Sequence, residues 1–169
     1  MTLLLLVGCA YKPPKNSLAD MSNYKIESKQ FMDMSMKESY DFLTKGTGYI
    51  YFGFDTCPWC LEMIPVLQDL VVNKYTVYYV NVRPEGEDIR KADNPDYQKV
   101  VSACKDFLES NPDGNPHIYV PQLFAVKNGE IVAAHLATVE GHDAPSRKMT
   151  AEEVEQLREI LNDFLNSIN

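Results

Sequence analysis

The tetrapeptide Cys57-Pro58-Trp59-Cys60 constrains this chain more than any other feature, because of what lies on either side of it. Gly48-Tyr49-Ile50-Tyr51-Phe52-Gly53-Phe54 precedes it, an apolar, aromatic-rich run that reads as a buried strand. Leu61 to Val71 follows, with apolar residues recurring at helical spacing. A strand that feeds a helix through CxxC places its first sulfur at the helix N-terminus. There the unpaired backbone N–H groups and the macrodipole favour a thiolate over a thiol. Two cysteines three positions apart on the first turn are also close enough to close a disulfide. That is the physical requirement for exchanging disulfides with another protein.

A second segment lies far along the chain. Val120-Pro121-Gln122-Leu123-Phe124-Ala125-Val126 leads into Lys127-Asn128-Gly129-Glu130. Asn-Gly between two apolar-rich runs predicts a two-residue hairpin, because both central positions of the turn take φ > 0. With these residues in place the chain resembles the thioredoxin-like thiol-disulfide oxidoreductases. The resemblance covers Tyr24 to the C-terminus and rests on three features in order: the CxxC, Pro65 five residues past Cys60, and Val120-Pro121. In that family the proline opening this strand is cis and packs against the CxxC, and the backbone just before it pairs with substrate. By position, those roles fall on Pro121 and Val120. Pro65 matches the proline that kinks the family's active-site helix.

One position departs from the pattern. Many thioredoxins carry a buried acid on the strand, six residues before the first cysteine, as proton acceptor for the second. Here that residue is Tyr51. A phenol with a reference pKa near ~10 is a poor base at neutral pH, so deprotonating Cys60 would call on water, Glu62 or Asp55. The dipeptide Pro58-Trp59 also lacks the histidine that makes some relatives strong oxidants, which leaves the redox direction open.

The 169 residues suit one domain with a short N-terminal appendage. The net charge of −8, without a basic cluster, argues against nucleic acid as a partner, since phosphate binding needs concentrated Lys and Arg. Residues 1–9 form an apolar run ending in Leu6-Val7-Gly8-Cys9, which resembles a bacterial lipobox with Cys9 as the lipidated residue. The run is too short to span a bilayer, which takes about 20 apolar residues. It also lacks the basic start of a complete signal peptide, so the true start is expected upstream of Met1. Residues 10–22, with Pro13-Pro14 and small polar residues, read as a flexible tether, and residues 23–169 as the domain. The implied location is the extracytoplasmic face of a bacterial cell membrane, held by lipid.

Within the domain, Tyr24 to Phe31 reads as a first strand. Ser35-Met36-Lys37-Glu38 is a capping box opening a helix whose Met36, Tyr40 and Leu43 share a face. Tyr75 to Val82 is β-branched and aromatic, hence a strand. Arg83 to Pro95 reads as an exposed loop, and Asp96 to Glu109 as a helix burying Val100, Val101, Cys104 and Leu108. Thr150-Ala151-Glu152-Glu153 is a second capping box. It opens a final helix with an apolar stripe of Val154, Leu157, Leu161, Phe164, Leu165 and Ile168. The order predicts an α/β, thioredoxin-like fold with a central mixed β-sheet sandwiched by helices.

A zinc reading of Cys57 and Cys60 wants two more ligands. Cys9 and Cys104 are isolated, and His117, His135 and His142 show no ligand spacing, so no metal is expected. Cys104 reads as a small buried hydrophobe. His117, four residues before Pro121, either approaches the site or sits in a loop. Trp59 is either an exposed contact surface or folded-back packing. Cys57 is expected to be exposed with a lowered pKa, and Cys60 shielded. The resemblance implies a protein-disulfide oxidoreductase with no bound cofactor, whose redox group is the Cys57/Cys60 dithiol. Its partners would be thiols or disulfides of exported proteins or peptides and an unknown electron donor or acceptor. Tyr51 to Cys60 most resembles the thioredoxin-like bacteriocin transport accessory proteins. The rival expectation is a thioredoxin-fold accessory protein that binds an exported peptide without redox turnover.

Overall fold

The computed structural model describes residues 11–14 and 17–168; the proposed signal segment and Cys9 lie outside them. Strand β1 (Phe31–Asp33) is followed by helix α1 (Met36–Lys45), β2 (Gly48–Gly53), helix α2 (Pro58–Val71) and β3 (Val77–Asn81). Helix α3 (Pro95–Cys104), the short pair β4 (Glu109–Ser110) and β5 (Pro116–His117), the hairpin β6 (Gln122–Lys127) and β7 (Glu130–Leu136), and helix α4 (Ala151–Asn166) complete it. The main sheet has the order β1-β3-β2-β6-β7. β1 and β2 run parallel to β3, whereas β6 is antiparallel to both β2 and β7.

Both faces of β2 are covered, which explains its unbroken apolar run. Tyr49 turns to one side, where its hydroxyl donates to the Leu165 carbonyl of α4 and its ring meets Phe164. Its neighbours alternate to the other side. There Ile50 stands opposite Tyr78, whose ring packs 4.8 Å from that of Phe42 in α1. Helix α2 buries Cys60, Met63, Ile64, Val66, Leu67 and Val71, each large apolar side chain contributing roughly 1.5–3 kcal/mol. At the predicted hairpin, Asn128 and Gly129 have φ of 53° and 80°. A Cβ on Gly129 would fall 2.2 Å from the Thr44 carbonyl oxygen, so this turn docks on the end of α1 only as glycine.

Both capping boxes form, at Ser35 and Thr150. Four expectations are corrected. Tyr24 belongs to a 3-10 turn (Ser22–Tyr24), and β1 begins only at Phe31, because Tyr24 is buried through its ring rather than by strand pairing. The buried face of α1 is Met36, Ser39, Phe42 and Leu43; Tyr40 is exposed, since the sheet receives the 39/42/43 side of the turn. Helix α3 stops at Cys104, and Lys105–Phe107 tighten into a 3-10 turn before β4. Finally, residues 17–22, read as the end of a flexible tether, pack against the domain. Leu18 bridges Met32, the Ala19 N–H donates to the Phe31 carbonyl at 3.0 Å, and Ala19 and Met21 are buried. With the Asp33 N–H donating to the Ser17 carbonyl at 2.8 Å, this stretch pairs the outer edge of β1, whose backbone groups would otherwise lack partners.

Candidate active site at the strand ends

The register of the sheet brings the two distant motifs together. Phe52 of β2 stands opposite Gln122 of β6. The chain leaving β2 toward Cys57 and the chain entering β6 from Pro121 therefore meet at one end of the sheet. The Val120–Pro121 peptide bond is cis. The Cys57 thiol lies 3.8 Å from the Val120 carbonyl oxygen, a weak S–H···O contact.

Cys57 is the N-cap of α2, with Pro58 at the first helical position, where a missing N–H costs nothing. Its sulfur accepts from the Cys60 backbone N–H at 3.3 Å. The Cys57 pKa is lowered, first by the hydrogen bond from the Cys60 thiol. Backbone N–H groups of Cys60 and Trp59 and the positive charge of Arg90 add to this, against a burial that raises it. Cys60, one turn inside, is pushed well up by burial, by donating to Cys57 and by the Cys57 charge. Both are free thiols. The expectation of an exposed Cys57 is corrected: it is only 3 % exposed and Cys60 0 %, because the cis-proline strand lies over the first sulfur. What separates the two is the polarity of their surroundings.

Beneath Cys60 lies a layer of phenols. The rings of Tyr51 and Tyr79 stack at 5.6 Å, and the hydroxyls of Tyr79 and Tyr24 hydrogen-bond at 3.0 Å. The buried Tyr51 hydroxyl has no partner of normal hydrogen-bond geometry among the described residues. It is nevertheless near enough to Cys60 to favour the charged sulfur. A Cβ on Gly53 would come within 2.4 Å of the Tyr51 ring, so glycine makes room for it. The two acids suggested as helpers are engaged elsewhere. Glu62 accepts from the Met149 N–H at 3.0 Å, and Asp55 from the Asn23 side-chain amide at 2.5 Å. The group that stands at Cys60 is the tyrosine.

Trp59 is half-buried and packs against the core with one side, so both readings of it hold in part. His117 sits on β5 with Nδ1 2.9 Å from the Tyr97 hydroxyl and its ring 5.0 Å from that of Tyr119. Burial, and then the Arg90 charge, lower its pKa. His142 is buried between the Thr138 hydroxyl and the Arg147 carbonyl, and Cys104 is buried on α3, both remote in role from the dithiol. Among the described residues no three His, Cys, Asp or Glu side chains converge on a metal-binding point. Nor is any described helix long and apolar enough to cross a membrane.

Sequence reasoning missed Arg90 and Asp88. The Arg90 side chain is 8 % exposed in a segment read as an open loop. It donates to Asp88 through Nε at 2.9 Å and Nη2 at 2.6 Å, and through Nη1 to the Ile118 carbonyl at 2.9 Å. Burial opposes the Asp88 charge, but these bonds outweigh it and hold its carboxyl well below the usual range. Alternating charges in a polar stretch carry no signal that one of them turns inward.

The order β1-β3-β2-β6-β7, with only β6 reversed against the three strands before it, and the CxxC at the exit of β2 decide the architecture. The fold is thioredoxin-like. No protein-family model matches the chain, and no curated protein does. Among solved structures it is similar to oxidised glutaredoxin 2 from Chlamydomonas reinhardtii, at 16 % identity and a TM-score of 0.35. That match covers 79 % of this chain and 88 % of the other.

Proposed function

We propose that this chain is a thiol-disulfide oxidoreductase working through Cys57 and Cys60. One observation carries the reading: a sulfur that caps a helix, beside a strand segment outside both ladders, with a second thiol buried directly behind it. The Cys57 thiolate attacks one sulfur of a substrate disulfide, forming a mixed disulfide and releasing the first substrate thiolate. Bond formation removes the Cys57 charge and the acceptor that hold the Cys60 proton on, so Cys60 becomes more acidic when it is needed. Cys60 loses its proton to water, attacks the Cys57 sulfur and expels the second substrate thiolate. The reverse sequence oxidises a dithiol. The dithiol is itself the redox group, and no cofactor enters the reading.

The proposed setting is the outer face of a bacterial membrane, with Cys9 as lipid attachment, and the proposed substrates are exported proteins or peptides. The similarity of Tyr51 to Cys60 to bacteriocin transport accessory proteins supports that context. Val120 and Pro121 would receive the substrate strand, and Pro58 and Trp59 would flank the attack. Insulin reduction by the full chain, with Cys57→Ser as control, tests the chemistry, and a redox titration assigns the direction. Binding of an extended peptide without turnover, at wild-type affinity in both proteins, would instead favour the accessory-protein reading, because the Tyr119–Val120 segment before Pro121 lies outside both strand ladders and could take a peptide as an added strand. Mass spectrometry of the native protein tests the anchor: a diacylated Cys9 supports it, and an unmodified Met1 ends it.

A further inference from the structure

The loop between β3 and α3 is tied to the two chain segments that flank the dithiol, at Gly53–Phe54 and at Ile118. The Val82 N–H donates to the Gly53 carbonyl, and the Ile89 N–H to the Val82 carbonyl, which folds the loop back over the sheet end. Arg83 stacks on the ring of Phe54, three residues before Cys57. Asp88 and Arg90 follow, paired through two bonds in a fork that only a guanidinium can offer. The remaining Nη1 of Arg90 holds Ile118, two residues from the carbonyl that touches Cys57. The amide of the same residue is held as well: the Ile118 N–H donates to the Tyr97 hydroxyl at 3.2 Å.

We propose that Arg90, locked by Asp88, is a positioning residue of the dithiol site: it fastens the Ile118–Val120 segment across Cys57 and lends that sulfur a fixed positive charge. This rests on the oxidoreductase reading and deepens it. Burying an arginine is costly, and a surface loop has no need of one. The ion pair is retained where it meets a backbone carbonyl that no strand ladder satisfies. The Arg90 charge acts at a distance on Cys57, on His117 and on Tyr97. The groups facing Arg90 are Asp88 and Arg83 on its own loop, Tyr97 on α3 and His117 on β5. Those facing Cys57 are Cys60 on α2 and, through the core, the hydroxyls of Tyr24 and Tyr79. His117, its pKa lowered from the ordinary imidazole value, adds no positive charge of its own at and above neutral pH.

Two substitutions separate the two roles. Arg90→Gln removes charge and fork together; Arg90→Lys keeps the charge and loses the fork. The rate of Cys57 alkylation by iodoacetamide is followed against pH in the full chain. Exchange is measured with a disulfide-bonded peptide and with oxidised dithiothreitol. In Arg90→Gln the alkylation profile moves to higher pH, with about three- to tenfold slower labelling at neutral pH. In Arg90→Lys the profile stays near wild type, while KM for the peptide rises several-fold and the small disulfide is little affected. An unchanged profile in Arg90→Gln, or full recovery of peptide exchange in Arg90→Lys, overturns the proposal. Should Arg90→Gln fail to fold, Asp88→Asn decides the charge role: freeing Arg90 of its counter-ion moves the profile to lower pH, and any other result overturns it. A wild-type protein with a low alkylation profile but no exchange would defeat the functional reading and leave the charge test standing.

Discussion

Helices α1 and α4 begin in one way and helix α2 in another. All three face the same need, N–H groups without partners at the positive end of a dipole. In α1, Ser35 Oγ accepts from the Glu38 N–H at 3.3 Å, and Glu38 returns the bond to the Ser35 N–H at 2.9 Å. In α4, Thr150 and Glu153 repeat the exchange, and Glu153 is held down to about 2 by Arg147 and the cap. Each has a permanent carboxylate at its start. In α2 the cap is a sulfur and the first turn holds no acid. The same electrostatic seat is left for a charge that comes and goes, which is what distinguishes a reactive helix start from a structural one.

The largest effect that tests this contrast is Cys57→Ala. Turnover in disulfide exchange should fall by about a thousandfold or more, while stability falls by no more than a cap residue is worth, about 0.5–2 kcal/mol. Retention of a tenth of the activity would break the assignment of Cys57 as attacker.

The next effect compares sulfurs at three helix positions. Cys57 has a lowered pKa; Cys60, inside the same helix, and Cys104, the last residue of α3, are raised, Cys104 by burial to about 12. A raised thiol stabilises the fold fully below the unfolded value of about 9, and that contribution is lost as pH climbs through the folded value. The Cys57 contribution has the opposite sign, present above the unfolded value and lost as pH falls through its lowered one. Denaturant melts should therefore show stability declining between about pH 9 and 12, by at most about 4 kcal/mol for Cys104. In Cys104→Ala that decline should be shallower, whatever the cavity costs at neutral pH. An identical slope would remove Cys104 from the account.

A carboxylate placed in the first turn of α2 should make it resemble α1 and α4. Trp59→Glu is expected to slow Cys57 alkylation at neutral pH about three- to tenfold relative to Trp59→Gln, which loses the same packing without the charge. Equal rates in the two would mean that the empty first turn is immaterial. The smallest effect is the structural counterpart. Thr150→Ala should cost about 1 kcal/mol, a fall of about 2–4 °C in Tm, and leave Cys57 reactivity untouched. A change in alkylation rate there would mean that α4 communicates with the dithiol.

The parts of the molecule legible in the chain were those whose cause is local. Ser35-to-Glu38 and Thr150-to-Glu153 satisfy their own backbone groups within four residues. Asn128-Gly129 turns because of its own φ preferences, and CxxC after a strand places a sulfur on a helix start wherever the strand lies. Other features depended on what came to lie beside them. Tyr40 and Phe42 are both aromatic and both on α1, yet only Phe42 meets the sheet, through Tyr78. Residues 17–22 look like linker until β1 needs cover. The burial of Cys57 comes from Val120, sixty-three positions away, and the inward turn of Arg90 from a carbonyl on a segment that no ladder pairs.

By itself, then, the sequence determined where the helices and the hairpin begin, which sulfur caps a helix, and which proline precedes a strand, because short-range backbone geometry and hydrogen bonding carry that information. Tertiary structure alone decided that the β2–β6 register sets Cys57 against Val120, that Tyr51 stands behind Cys60, and that Arg90 joins them. Burial and charge proximity are properties of neighbours in space, and a residue's neighbours in space are chosen by the whole fold.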